Sequence, residues 1–150
     1  MMNMNDAMKR LLENEDEKPD FLDIDTIVKG IVDKTKLIKN CVIFDEDGSL
    51  DEKEIHFDKI MKFVENWTGY EYSCNEISIN KYNISANQFL ILAEKMYTTL
   101  SQKYCGKKFV VIIYVTDEVI DLRFHTYRRN DGIWIDENLN NYDSPVLYWM

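Results

Sequence analysis

The spacing of apolar side chains divides the first third of the chain into two amphipathic helices and a polar connector. Apolar residues recur every three or four positions over residues 5–14 and again from residue 23, where Asp23 is placed to cap a helix. Residues 13–20 are acidic and contain the helix-breaking Pro19, so they are predicted to form a solvated connector. We expect residues 1–20 to be peripheral to the core. The inward face of the second helix is predicted to hold Ile24, Ile27, Val28, Ile31 and Ile38.

The middle of the chain alternates between strand and helix signals. Residues 41–44 are apolar and precede an Asp-Gly turn, which predicts a short strand. Ser49 and Glu52 have the spacing of a capping box, which predicts a helix as far as Trp67 that ends at Thr68-Gly69. Alternation of Ile77 and Ile79 predicts a strand within residues 70–82, and a second capping box, Ser85 with Gln88, opens the strongest helix, which Gly106 stops.

The last third has the pattern of an antiparallel sheet. Residues 109–115 form a continuous apolar run, and residues 119–127 alternate between apolar and polar side chains. Asn130-Asp131-Gly132 is a hairpin signal before a predicted strand at 133–135, and residues 146–149 are predicted as the last strand. The alternation is expected to turn four polar side chains of the second strand outward: Asp121, Arg123, His125 and Tyr127.

These elements predict the fold class α+β. N-terminal helices are followed by the order β-α-β-β-β, in which tight turns make the strands antiparallel and the helices pack on one face of the sheet. A chain of 150 residues is the size of one domain, so residues 1–150 are predicted to fold as a single unit, with 1–20 at its periphery.

The charge balance narrows the class of partner. The formal net charge is −9, from 27 acidic against 18 basic residues. It disfavours direct binding of nucleic acid and of anionic membranes, and it favours steering toward a basic protein. Cys41, Cys74 and Cys105 form no Cys-x-x-Cys pair, and neither a signal peptide nor a membrane-spanning run is recognisable. A cytoplasmic protein with reduced thiols is expected.

Motifs for catalysis, cofactors and metals do not emerge. Asp45-Glu46-Asp47-Gly48 resembles part of a calcium loop, but its glycine comes fourth where an EF-hand requires it sixth. His56 and His125 lack partners at zinc-ligand spacing, and the chain contains no glycine-rich phosphate loop. We therefore predict no catalytic residue, no cofactor and no metal site.

Two polar regions remain as candidate binding surfaces. The row around His125 is open to three interpretations: an acid-base site, a solvated sheet face, or a protein-contact surface. Acidic residues also cluster around residues 45–54 and 131–143, where they would complement a basic surface such as the active site of a nuclease. The predicted partner-binding residues are Asp45, Glu46, Asp47, Arg123, His125, Tyr127, Trp134, Asp136 and Glu137.

Part of the C-terminal region resembles a known class of proteins. The stretch Leu122-Arg123-Phe124-His125, followed by Trp134-Ile135 and the closing segment 143–147 (Asp-Ser-Pro-Val-Leu), resembles small immunity proteins of bacterial polymorphic and contact-dependent toxin systems. The resemblance implies a non-enzymatic cytosolic protein that binds one cognate toxin domain and blocks its active site. Two alternatives stay open: a phage-type inhibitor or adaptor of another host protein, and a small enzyme centred on His125.

Overall fold

A computed structural model describes residues 1–14 and 23–150, in which a five-stranded antiparallel sheet is accompanied by helices and a two-stranded hairpin. The α+β class predicted from the sequence is confirmed. The strands are β1 (Met2–Met4), β2 (Thr35–Ile38), β3 (Cys41–Phe44), β4 (Glu76–Asn80), β5 (Phe109–Val115), β6 (Val119–Thr126) and β7 (Val146–Trp149). The α-helices are α1 (Asp6–Asn14), α2 (Ile24–Asp33), α3 (Phe57–Val64), α4 (Trp67–Cys74) and α5 (Ala86–Lys103).

The large sheet has the strand order β1-β7-β5-β6-β4, and β2 pairs separately with β3. Val111 faces Phe124 and Ile113 faces Leu122 across β5 and β6, so these four side chains lie on one side of the sheet. They form the main core with buried residues of α1, α2 and α5. The opposite side of β6 is approached by α4 and by the segment that follows β6, as described below.

Local capping signals fix the start of two of the helices that cover the main core, α2 and α5. The Asp23 carboxylate accepts hydrogen bonds from the backbone N–H groups of Asp25 and Thr26, so α2 begins where the sequence predicts. Ser85 and Gln88 form the predicted capping box at the start of α5. These caps satisfy backbone donors that the first helical turn leaves free.

The prediction that the N-terminal segment is peripheral is wrong for residues 1–14. Strand β1 pairs with β7, and Met8 is completely buried in the main core. The Asn5 side chain donates to the carbonyl of Ser144 (2.8 Å) and accepts from the N–H of Val146 (3.0 Å). The segment is held because it supplies an edge strand and a buried amide. The rest of the predicted connector, residues 15–20, lies outside the described residues.

Ile38 does not belong to the second helix, contrary to the helical-face prediction. Helix α2 ends at Asp33, and Thr35–Ile38 forms a hairpin with Cys41–Phe44. Lys39, in the turn, has a φ of 54°, the left-handed conformation that a two-residue hairpin turn requires. Apolar spacing that is compatible with one more helical turn is satisfied here by the alternation of a strand.

The helix predicted from Ser49 to Trp67 is also wrong, because the chain there forms three separate elements. A short 3-10 turn at Glu52–Glu54 is followed by α3, and Trp67 is the first residue of α4. Ser49 is bonded to Asp47, and the N–H of Leu50 is bonded to Asp45, so neither takes part in a helix cap. Local side-chain bonds to the backbone thus replace the capping box.

Thr68-Gly69, expected to end that helix, lies inside α4. A Cβ at Gly69 would stand 2.7 Å from the carbonyl oxygen of Val64 and 2.9 Å from Cζ2 of Trp134. Glycine is therefore present to allow a close approach of the Trp134 ring and not to stop the helix.

The strand predicted at residues 133–135 is absent from the described structure. The Asn130-Asp131-Gly132 turn does form, with Gly132 at a φ of 70° and a bridge between Arg128 and Gly132. Beyond it the backbone N–H of Trp134 donates to the His125 ring at 3.2 Å. The N–H of Trp134 is therefore not available for strand pairing, and its bond to His125 holds this segment against the side of β6 that lies opposite the main core.

Candidate functional site

His125, the proposed centre of an acid-base site, is completely buried. Because the N–H of Trp134 donates to Nε2, the proton lies on Nδ1, which donates to the carbonyl of Thr126 at 2.8 Å. Burial lowers the pKa of His125 to about 4, so the ring is neutral near pH 7. The prediction that the His125 row faces solvent is wrong: both ring nitrogens are engaged in structural hydrogen bonds.

The neighbouring Arg123 is held in a network of the same sheet face. Its guanidinium forms ion pairs with Glu76 (3.1 Å) and Asp121 (3.2 Å), and it lies 4.7 Å from the centroid of the Tyr72 ring. The Tyr72 hydroxyl is 3.2 Å from that of Tyr114. Burial raises the pKa of Asp121 and Arg123 opposes that shift. The Arg123 side chain is therefore only 18% exposed, and its charge is paired with carboxylates of the same chain.

Two buried polar side chains, unnoticed in the sequence, connect the small hairpin to the large sheet: Glu71 in α4 and Asn75, the C-cap of that helix. Asn75 accepts from the N–H of Phe44 (2.8 Å) and donates to the carbonyls of Val42 (2.8 Å) and Phe124 (3.1 Å). Glu71, one turn earlier, accepts from the N–H of Val42 (2.6 Å) and from the N–H of Thr126. These side chains take the place of backbone pairing between β3 and β6.

Glu71 also has the charge partner that a buried carboxylate requires. Arg128 lies 3.3 Å from it and donates as well to the carbonyl of Asn40 at 2.7 Å. Burial raises the pKa of Glu71, whereas the hydrogen bonds from Thr126 and the charge of Arg128 act in the opposite direction. Glu71 and Asn75 are four positions apart, so they fall on the same side of a helix. The sequence would have indicated this pair of polar side chains only if α4 had been predicted.

The cysteines provide no activated nucleophile at this site. Cys41 is buried, and burial, with the nearby Glu71 carboxylate, raises its pKa to about 12. Burial also raises the pKa of Cys74, while Cys105 is exposed. Within residues 1–14 and 23–150, no three His, Cys, Asp or Glu side chains are grouped so that they could hold a metal ion.

The first acidic segment forms one side of an open cleft of about 500 Å³, which we call the acidic cleft. Asp45 is buried, forms an ion pair with Lys36 (2.5 Å) and accepts from the N–H of Leu50 (3.2 Å). Glu46 and Asp47 are exposed, and a hydrogen bond from the Ser49 hydroxyl lowers the pKa of Asp47. The cleft is lined by Ile43, Phe44, Asp45, Glu46, Asp47, Ser49, Leu50, Asp51, Glu54, Ile55 and Cys74.

The second acidic segment is an exposed loop before β7. Asp136 and Glu137 are both exposed. Asp136 accepts from the side-chain amide of Asn141 (2.8 Å), which lowers its pKa, and from the N–H of Asn138 (2.9 Å). Tyr127 and Trp134 are partly exposed.

The nine predicted partner-binding residues therefore occupy different environments. His125 and Asp45 are buried, and Arg123 is largely enclosed. The residues that retain exposed surface are Glu46, Asp47, Tyr127, Trp134, Asp136 and Glu137. A pattern of polar residues along a strand cannot distinguish a solvated face from one that is covered by other polar groups. For this reason the sequence pattern wrongly predicted that the polar row around His125 faces solvent.

The described residues form a five-stranded antiparallel sheet and a two-stranded hairpin, with a helical core on one face of the large sheet and a polar, largely enclosed network on the other. The family model described as "Uncharacterized protein PM0498 family" matches residues 3–149, and the chain belongs to that family. No curated protein and no solved structure matches the chain significantly. In the parts of the chain that the structure describes, no helix is both long and apolar enough to traverse a bilayer.

Proposed function

We propose that this protein is a non-enzymatic inhibitor that binds another protein through its acidic surface, and that it acts as a cytoplasmic immunity protein against a cognate bacterial toxin domain. The observation that carries the proposal is that the polar groups of the protein fall into two sets, one bonded within the fold and one exposed on loops. His125, Glu71 and Arg128 are engaged in bonds within the fold, whereas Glu46 and Glu137 are exposed on loops.

The electrostatic state of the loops supports a basic partner. Hydrogen bonds within the loops lower the pKa of Asp47 and of Asp136, so both carboxylates are ionised at neutral pH. With a net charge of −9, the protein would attract a basic domain such as a nuclease and raise the association rate. Carboxylates placed over a nuclease site would occupy positions meant for phosphate groups.

The direct test is rescue of growth. The reading frames adjacent to the gene are expressed singly in a heterologous host, and any toxic one is co-expressed with this protein. We expect protection from that toxin and from no unrelated one, with an association rate that falls as salt rises.

Three results would contradict the proposal. Protection without binding to the toxin would point to a different mechanism, and binding to a different host protein would favour the adaptor alternative. Small-molecule turnover that is lost in a folded His125→Gln variant would require the enzyme interpretation instead.

A further inference from the structure

The floor of the acidic cleft is apolar, which distinguishes the cleft from an ordinary solvated acidic loop. Phe44, Leu50, Ile55 and Cys74 are partly exposed there. Leu50, Ile55 and Cys74 pack against a second, smaller hydrophobic cluster, separate from the main core, whose buried residues are Ile38, Cys41, Ile43 and Tyr70. An occupant would therefore gain free energy by covering apolar surface, in addition to meeting charge.

The wall of the cleft is held in place by its own hydrogen bonds. Asp45 fixes the N–H of Leu50, Asp47 accepts from the N–H and hydroxyl of Ser49, and Asp51 accepts from the N–H of Lys53 (2.9 Å). A loop that is already ordered loses little conformational entropy when a partner binds. The cleft is thus formed before binding.

The charge of the cleft is strongly one-sided. Five carboxylates line it, and none of its described lining residues is basic. The nearby Lys36 already pairs with Asp45 and donates to the carbonyl of Leu50 (3.2 Å). In the described structure, no hydrogen bond or ion pair engages the carboxylates of Glu46 and Glu54. An arginine or lysine complements this environment, because its alkyl stem covers apolar surface while its head group meets carboxylates.

We propose that the acidic cleft receives a basic amphipathic segment of the partner protein. An arginine or lysine of that segment lies between Glu46 and Glu54, and an adjacent apolar side chain covers Leu50 and Ile55. This inference rests on the proposed function, which it deepens by assigning the surface and the chemistry of the segment that binds there.

The test uses two acetylated, amidated five-residue peptides as probes. One alternates arginine with leucine, and the other replaces each leucine by serine at the same charge. Binding is followed by amide chemical shifts of the isotopically labelled full chain in physiological salt. We expect the leucine-containing peptide to bind at least about fivefold more tightly, with shifts concentrated in residues 43–55, because only that peptide can cover the floor.

Two variants with equal charge loss locate the site. The double variant Glu46→Gln with Glu54→Gln should lower the affinity for the leucine-containing peptide by at least about fivefold. The double variant Asp136→Asn with Glu137→Gln should change that affinity by less than about twofold. All four side chains are exposed, so both variants should fold, which thermal unfolding checks. In a Cys105→Ser background, the leucine peptide should also slow alkylation of Cys74, the partly exposed thiol in the floor.

Equal binding of the two peptides, equal loss in both variants, or shifts outside the cleft would overturn the assignment. The growth assay distinguishes a failure of the cleft assignment from a failure of the proposed function. If the Glu46/Glu54 variant still protects fully while the Asp136/Glu137 variant does not, the inhibitor function stands and the cleft assignment fails.

Discussion

Replacing Asn75 by alanine tests whether the small hairpin is fastened to the large sheet through side chains. Asn75 is completely buried and forms three hydrogen bonds, to the N–H of Phe44 and to the carbonyls of Val42 and Phe124. Alanine removes all three and leaves the donor of Phe44 without its acceptor. The substitution therefore acts on the connection between β3 and β6 rather than on either strand alone.

The size of the effect follows from these bonds. Each contributes about 0.5–1.5 kcal/mol net, and an unsatisfied buried donor costs about 1–3 kcal/mol. Allowing for partial relaxation and water entry, we expect Asn75→Ala to lower the free energy of unfolding by about 2–4 kcal/mol. This is a large part of the roughly 5–15 kcal/mol that holds a domain of this kind together.

Equilibrium unfolding in urea, followed by circular dichroism and tryptophan fluorescence, measures the change. Asn87→Ala is the matched control, because Asn87 is exposed on α5 and the same atoms are removed there at almost no cost. Asn75→Asp is a sharper variant: it keeps an acceptor for Phe44 but presents a carboxylate oxygen to the carbonyls of Val42 and Phe124. At pH 7 we expect it to be at least as unstable as Asn75→Ala.

A loss below about 0.5 kcal/mol for Asn75→Ala would refute the reasoning, since it would mean that the three bonds are replaced at no cost. Wild-type stability of Asn75→Asp at pH 7 would refute it independently, because it would show that the amide nitrogen is not required as a donor.

Two further predictions concern positions whose surroundings are equally well defined. Gly69→Ala should destabilise the fold by about 1–3 kcal/mol, because the added Cβ would meet a carbonyl oxygen and the Trp134 ring. Gly30→Ala in α2 should stabilise the fold by about 0.5–1 kcal/mol, because nothing lies within 4 Å of the Cβ there. Equal effects of the two substitutions in urea unfolding would contradict the close approach at Gly69. His125 has an ordinary pKa of 6.5 and a folded-state pKa of about 4, so the unfolded state binds more protons between these values and stability falls as the pH falls through that window. At about 1.36 kcal/mol per unit the loss approaches about 3 kcal/mol, and the difference between the wild-type and His125→Gln curves isolates it from the opposite contribution of Glu71, whose pKa is raised. Parallel curves for the two proteins would show that the histidine is not buried in its neutral form.

Elements with uniform patterns were predictable from the sequence. The runs that became β5 and β7 are continuous and apolar, and α5 combines an apolar stripe with a capping box, so local preference and burial agree. The position of Asp23 as a helix cap was predictable for the same reason. In each case one short stretch of chain contains all the information that the element needs.

Elements that depend on distant partners were not predictable. Strand β1 exists because β7 offers a free edge more than a hundred residues later. Gly69 in α4 carries the signature of a helix stop, and its actual role is visible only when Trp134 is placed beside it. Of the candidate site, the exposed acidic loops were predictable from composition and turns, whereas the burial of His125 required knowledge of what covers β6.

The pKa shifts give a physical criterion for separating structural from functional carboxylates in this protein. Burial raises the pKa of Glu71 and of Asp121, and each of them faces an arginine of its own fold. Asp47 and Asp136 are fully exposed and their pKa values are lowered by hydrogen bonds within their loops. A buried, paired carboxylate has little charge left to offer a partner, whereas an exposed and ionised one keeps its field in solvent. The charge available for attracting a basic protein therefore resides on the loops and not on the sheet face that its sequence pattern first indicated.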